Sequence, residues 1–316
     1  MTDMAHEQHA QIPNRIRAKE VFHPGTLIAA IIVAILAAML IHGLVTNANF
    51  KWGIVWMYLR DVKVIEGIGY TLLLTVCSMV LGTILALVMA IMRTASNPVL
   101  RGVSWAYIFV FRGIPVYTQL IFWGLVAVLY PVIGLGIPFG PQFVSFNTSA
   151  IIGAFAAAVI GLGLNEGAYL AEIIRSGLES VDSGQAEAAK ALGMKPSLIL
   201  RRIVIPQAMR VIIPPLGNET IGMLKTTSLV LAVPFTLDLQ FATNNIANRI
   251  YAPIPLLIVA AFWYLVMTSV LMVGQHYVEA YYGRGFSTGG SNRSKRQAAI
   301  NAAGTTTTDP SMEVEQ

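Results

Sequence analysis

Long apolar runs separated by short polar segments dominate this chain. Six such runs occupy approximately residues 27–45, 67–92, 103–130, 150–174, 211–235 and 255–273. A helix needs about twenty mostly apolar residues to cross a bilayer, and each run is close to or above that length. The pattern therefore predicts an all-α integral membrane protein with about six transmembrane helices.

Charge and proline interrupt the third and fifth runs. The third run contains Arg112 and Pro115. The fifth contains Pro214, Pro215, Asn218, Glu219 and Lys225. Irregular backbone and charged side chains persist within a membrane only where protein or a water-filled cavity satisfies them. We therefore expect both segments to face the interior of the helical bundle.

Composition supports a membrane protein and argues against chemistry carried by this chain. Hydrophobic residues make up 55% of it and charged residues 12%, about half the charged fraction usual in soluble domains. The single cysteine, Cys77, excludes an internal disulfide. The sequence contains neither a G-x-x-x-x-G-K-[ST] phosphate loop nor an H-E-x-x-H metal motif. We expect no catalytic residue, no metal site, no bound cofactor and no nucleic-acid partner.

The distribution of lysine and arginine predicts the orientation in the membrane. The connection 131–149 contains neither residue, whereas the stretch 175–210 contains six of them. Both ends of the chain are also basic. Positive residues favour the cytoplasmic side, so both termini and the 175–210 connection are expected there. Lys51, Arg60 and Lys63, which this orientation places outside, count against it.

The ends of the chain differ from its centre. Residues 1–26 are polar and are predicted to be a cytoplasmic arm. Residues 27–50 are predicted to be a retained transmembrane helix, because their apolar run begins too far from the N-terminus for a cleaved signal peptide. The tail 287–316 consists mainly of small, polar and charged residues, and it is predicted to be disordered.

The connection between the fourth and fifth runs has a helix–turn–helix pattern at about residues 182–206. Strong helix formers predict a helix over 185–192, and Gly193 follows where a C-terminal cap needs a left-handed residue. Pro196 suits the first turn of a second helix, which the spacing predicts to continue to Pro206. On physical grounds alone, the pattern fits either a docking surface for another protein or a plain structured loop.

The same residues carry a family resemblance. E-A-A at 187–189, then Gly193, resembles the EAA loop of ABC-importer permeases, with I-P at 205–206 where that family usually has L-P. Further segments resemble signatures of the polar-amino-acid branch. They are R-G-I-P with Q-L at 112–120, A-Y-L-A-E-I-I-R at 168–175, P-L-G-N at 215–218 and L-K-T-T-S-L at 224–229, where Thr226 replaces the usual aspartate. The resemblance covers about 67–282.

That resemblance implies the five-helix core of a type I ABC importer permease over about 60–284, plus the extra N-terminal helix. It implies import of a polar amino acid across a bacterial plasma (inner) membrane. The implied partners are an ABC ATPase dimer that binds ATP and Mg²⁺, a second permease subunit that is identical or homologous, an extracytoplasmic amino-acid-binding protein and the lipid bilayer. The residues implied to couple to the ATPase are Glu187, Ala188, Ala189, Leu192 and Gly193.

Glu166 is the candidate for contact with the transported solute. It lies within the fourth run, where a carboxylate costs at least ~2.5–3.5 kcal/mol on the membrane-insertion scale. Tyr169 lies four residues after Asn165 and three after Glu166, spacings that bring side chains together in one polar stripe on a helix. An amino acid always offers a positive group, so these three residues are predicted to form part of a substrate-binding cavity.

Ion pairing offers another explanation for this acidic side chain. Glu166 could pair with Arg112 or Lys225 and never meet the solute. Glu172 and Arg175, about one helical turn after Tyr169, are expected to form a structural ion pair of this kind.

Three other functions stay open at this point. The chain could be an ABC permease for another small solute, because EAA loops occur across importers. It could be a secondary transporter or channel that needs no ATPase, although the EAA-like loop argues against this. An intramembrane hydrolase using Ser228 or Ser269 with His42 or His276 is the third, but no oxyanion-type motif accompanies either serine.

The orientation can be tested with single cysteines in a chain whose Cys77 has been replaced. A membrane-impermeant thiol reagent on intact cells should label Gln142→Cys, because its connection is expected outside. The reagent should spare Ser183→Cys and label it once the cells are opened. The reverse labelling pattern would contradict the proposed orientation.

Overall fold

The computed structural model describes residues 24–137 and 140–283. Contacts divide the chain into two units, Met1–Lys51 and Trp52–Gln316. Most of the predicted arm 1–26 and all of the predicted tail 287–316 lie outside the described residues.

The first unit contains one long helix, α1 (Pro24–Thr46). It is apolar around its whole circumference, and every one of its residues is exposed. Its 23 residues are enough to cross a bilayer. The helix predicted from the run 27–45 is therefore confirmed, with slightly wider limits.

The second unit is built mainly from helices. In chain order they are α2 (Trp52–Tyr58), α3 (Val62–Thr94), α4 (Pro98–Gly113), α5 (Val116–Gly124), α6 (Val126–Leu129), α7 (Thr148–Ile151), α8 (Ala154–Glu179), α9 (Ser183–Ala191), α10 (Pro196–Ile199), α11 (Ile205–Thr226), α12 (Leu239–Ile250) and α13 (Pro253–Tyr282). A 3₁₀-helix, Thr227–Ala232, follows α11 directly.

Length and composition identify the membrane spans. Within the described residues, α1, α3, α8 and α13 are long and apolar enough to cross a bilayer. Helices α4 and α5 together have the length and composition of one more span, but they meet at an angle of 101°, as in a broken span or a re-entrant loop. The fifth predicted run, 211–235, is helical but begins and ends earlier, as α11. Its proline and charged residues keep α11 outside the group of apolar spans, which fits a segment that faces protein or a cavity.

A short β-hairpin occupies the connection predicted as a loop, 131–149. Strand β1 (Val132–Gly136) pairs antiparallel with β2 (Gln142–Asn147), and the register shifts between Leu135 and Gly136. The sequence prediction of a purely helical fold missed this hairpin. Its strands are short and exposed, so no buried apolar run marks them.

The core of the second unit forms where α3 packs against α8. Small residues allow this close approach: a β-carbon on Gly163 would lie 2.7 Å from Leu81, and one on Gly82 would lie 3.0 Å from the Cβ of Glu166. A second core cluster joins α2, α12 and α13 around Leu239 and Leu256. A larger residue at Gly82 would therefore separate α3 from α8 at the acidic side chain.

The bend between α4 and α5 follows from Pro115. A proline has no N–H, so the carbonyl of Phe111, four residues earlier, loses its helical partner. The Gln119 Nε2 donates to this carbonyl at 2.9 Å and to the carbonyl of Ile114 at 2.8 Å. The Asn165 Nδ2 on α8 donates to the Phe111 carbonyl as well, at 2.8 Å. Side chains thus satisfy backbone groups that a membrane interior would otherwise leave unpaired.

Replacing Gln119 by leucine should destabilise the purified protein by about 1–2 kcal/mol, because buried carbonyls lose their donor. We expect a destabilisation near the lower end of this range, because the substitution also removes the buried Oε1 of Gln119, which has no partner in the described structure. Unfolding by heat or by a denaturing detergent measures it. Gln185→Leu is the matched control, because its bond with Gln207 is exposed; equal stability of both variants would contradict the assignment.

Candidate functional site

The helix–turn–helix between α8 and α11 has the predicted geometry. Asp182 caps α9 by accepting from the Gly184 N–H at 2.8 Å. Gly193 has φ +78°, a conformation that other residues adopt only with strain. The Met194 N–H donates to the Ala189 carbonyl at 3.1 Å and closes the turn, and Pro196 then begins α10. The predicted helix, glycine turn and proline start are confirmed.

The second helix does not stop at Pro206, contrary to the sequence prediction. A π-helical stretch, Leu200–Val204, joins α10 to α11, and the Ile205 N–H donates to the Leu200 carbonyl. Pro206 then lies in the first turn of α11, where a missing N–H costs little. One continuous helical path therefore leads from the glycine turn into the membrane segment.

The five predicted coupling residues differ in exposure. Leu192 is 84% exposed, and Glu187, Ala188 and Gly193 are exposed too. Ala189 is only 4% exposed and faces a cleft of about 470 Å³ between α9 and α11. The structure thus leaves four of these residues available to a partner, while Ala189 packs within its own chain.

Inside the membrane segments, a cavity of about 270 Å³ contains all three predicted substrate residues. It lies between α5, α8 and α11. Its lining residues are Val116, Leu162, Asn165, Glu166, Tyr169, Glu219, Gly222, Met223 and Thr226. Asn165, however, is already engaged by the carbonyl of Phe111. Its amide therefore helps to hold the helix break as well as lining the cavity.

Glu166 is buried and incompletely satisfied. The residue is 5% exposed, and its Oε1 has no hydrogen-bond partner in the described structure. The ion pairs within the described residues are Lys63–Glu66, Arg175–Glu172 and Arg175–Glu179. The alternative in which Glu166 pairs with Arg112 or Lys225 is therefore wrong for this structure. The predicted Glu172–Arg175 pair is confirmed at 2.8 Å.

Sequence reasoning did not assign Glu219 to this site. The residue lies on α11 and lines the same cavity as Glu166, so two carboxyl groups share this cavity. A signal was available: Glu219, Gly222, Met223 and Thr226 recur at helical spacing. That spacing predicts a shared face, but only packing shows that this face meets α8.

Tyr169 connects the cavity to a second one. It is 37% exposed, and the Arg112 guanidinium carbon lies 5.0 Å from the centre of its ring. Tyr169 also lines a cavity of about 430 Å³, together with Arg112, Arg93 and Glu172. The ring is therefore common to the cavity of Glu166 and to one lined by two arginines.

Known proteins share both the sequence and the fold. The family model of the binding-protein-dependent transport system inner membrane component matches residues 78–282. The chain is 48% identical over 274 residues to the arginine transport system permease protein ArgU of Corynebacterium glutamicum, across 86% of this chain and 85% of that protein. It is 34% identical over 235 residues to the probable amino-acid ABC transporter permease protein YckA of Bacillus subtilis, across 72% of this chain and 96% of that protein.

One solved structure, "Crystal structure of an amino acid ABC transporter with histidines", aligns with a TM-score of 0.59 and 34% identity, over 72% of this chain and 98% of that one. These similarities confirm the family resemblance carried by the EAA-like loop and its neighbouring segments. The chain belongs to the family of inner membrane components of binding-protein-dependent transport systems, and it is a permease subunit of an ABC transporter rather than an enzyme.

Proposed function

We propose that this chain is the membrane subunit of an ATP-driven importer for a cationic amino acid of the arginine class. The buried carboxylate of Glu166 beside Glu219 is the observation that carries the proposal. The relative with 48% identity is an arginine transport system permease protein, which supports the same class of solute.

The chemistry of the cavity suits such a solute. Two carboxylates that face one small cavity repel each other, and a positive ligand between them removes that repulsion. A guanidinium offers five N–H donors in a planar arrangement that matches carboxylate oxygens. Buried acids in membrane segments usually have a partner, and in this proposal the partner of Glu166 is the solute itself.

The energy for transport comes from partner chains. Permeases of this family work with an ATPase and a binding protein. In our proposal the ATPase is a dimer that holds ATP and Mg²⁺, and a second permease subunit, identical or homologous, completes the pathway. The exposed surface of α9 around Glu187 and Leu192 docks on the ATPase. In this proposal both termini and this surface lie on the cytoplasmic side of a bacterial plasma membrane.

Glu166→Gln tests the substrate site. The amide keeps the size of the side chain but removes its charge, so we expect at least about a tenfold loss of arginine affinity, the size of one charge-assisted contact. Equilibrium binding of radiolabelled arginine to the detergent-purified transporter measures it. Uptake should fall in parallel, while assembly and basal ATP hydrolysis stay near wild type.

Glu179→Gln is the matched control for that experiment, because Glu179 is on the same helix but exposed and paired with Arg175. It should bind arginine as the wild type does. If Glu166→Gln assembles normally and transports at the wild-type rate and KM, Glu166 does not bind the solute.

Substitutions at Gly193 test the coupling turn. A β-carbon on Gly193 would meet open space, so any cost comes from its positive φ, about 1–2 kcal/mol for a side chain that avoids this region. Gly193→Val should therefore uncouple ATP hydrolysis from uptake, whereas Gly193→Asn should retain most transport, because asparagine tolerates this conformation. Uptake per assembled complex is the measurement, and full transport by Gly193→Val would refute the role of the turn.

A further inference from the structure

Arg112 is an exposed charged residue in the apolar, bent α4–α5 segment, and no carboxylate pairs with it among the described residues. It lies in the last turn of α4, where the helix dipole favours a positive side chain. Neither it nor Arg93 takes part in any ion pair between described residues. Its guanidinium instead lies over the ring of Tyr169, at 5.0 Å. Charged residues within apolar membrane segments normally face a cavity and have a function.

The position of Arg112 relates it to both cavities. It lines the cavity of about 430 Å³ together with Arg93, Trp105, Phe109, Tyr169 and Glu172. Tyr169 lines that cavity and also the one that contains Glu166 and Glu219. Tyr169 therefore belongs both to a cavity with the carboxyl groups of Glu166 and Glu219 and to a cavity with the guanidinium of Arg112.

An amino acid presents both signs of charge at once. Its ammonium and any cationic side chain suit Glu166 and Glu219, but its α-carboxylate is repelled by them. A site lined by carboxylates alone would bind the corresponding amine better than the amino acid. Discrimination in favour of the amino acid requires a fixed cation within reach, and a planar guanidinium can hold a carboxylate with two parallel hydrogen bonds.

We propose that Arg112 binds the α-carboxylate of the transported amino acid beside Tyr169, while Glu166 and Glu219 bind its positive groups. This inference rests on the proposed function and adds a specificity-determining residue to it. The Arg112 guanidinium can bind the carboxylate by moving away from the Tyr169 ring, or by staying over the ring and directing one edge toward the carboxylate. In both cases Arg112 favours amino acids over the corresponding amines.

The test compares two ligands that differ only in the carboxylate, arginine and agmatine. Both are titrated against the purified transporter, assembled with its ATPase in lipid nanodiscs and without the binding protein. Wild type should prefer arginine by at least about tenfold. Arg112→Gln should lose this preference, with agmatine binding unchanged or tighter because a positive charge has been removed. Arg112→Lys should retain part of it.

Arg93→Gln is the matched control, because Arg93 lines the second cavity as Arg112 does, whereas it is the guanidinium of Arg112 that lies over Tyr169, the residue shared by both cavities. It should keep the preference for arginine. An Arg112→Gln transporter that still prefers arginine tenfold would overturn the role of Arg112 alone. A wild type that binds neither arginine nor agmatine would overturn the proposed function as well. If Arg112→Gln assembles poorly, Arg112→Lys is the deciding variant. A preference for arginine as large as that of the wild type in Arg112→Lys, with agmatine binding also unchanged, would count against the proposal.

Discussion

The carbonyl of Phe111 is the group on which the arrangement around the cavity depends. Pro115 removes its helical donor, and the membrane interior supplies no water to replace it. Two side-chain amides take over, one from Gln119 on α5 and one from Asn165 on α8. The first bond joins the two sides of the bend, and the second joins the α4 side to α8. The bend consequently places Val116 on the cavity wall and leaves Arg112 beside Tyr169.

The Phe111 carbonyl thus has hydrogen-bond donors, whereas the buried Oε1 of Glu166 has no partner in the described structure. Gly82 gives Glu166 room between α3 and α8, and Glu219 approaches it from α11. A pair of facing carboxylates is unfavourable in a medium of low dielectric constant, so a bound cation would change the relative stability of arrangements that bring α8 and α11 together or apart. A ligand can shift a conformational equilibrium only through such differential affinity.

Helix α11 connects this cavity to the helix–turn–helix that contains Gly193. From the glycine turn at Gly193, α10, the π-helical stretch and α11 form one continuous helical path. Glu219 lies on α11 itself. If the proposed docking of the ATPase displaces α9, the displacement can reach the α11 wall of the cavity through this continuous helical path. The bond between Gln185 and Gln207, 2.8 Å long, joins α9 directly to that path.

The sequence by itself determined the features that depend on neighbours along the chain. Apolar length identified the helices, and residue type fixed the glycine turn, the proline start of α10 and the Glu172–Arg175 pair. Tertiary structure decided what depends on contacts between distant segments: the exposed hairpin, the continuation through Pro206, the inward-facing Ala189, the free carboxylate of Glu166 and the position of Glu219. Periodicity defines the faces of one helix, but the partner of each face is set by packing among helices far apart in the sequence.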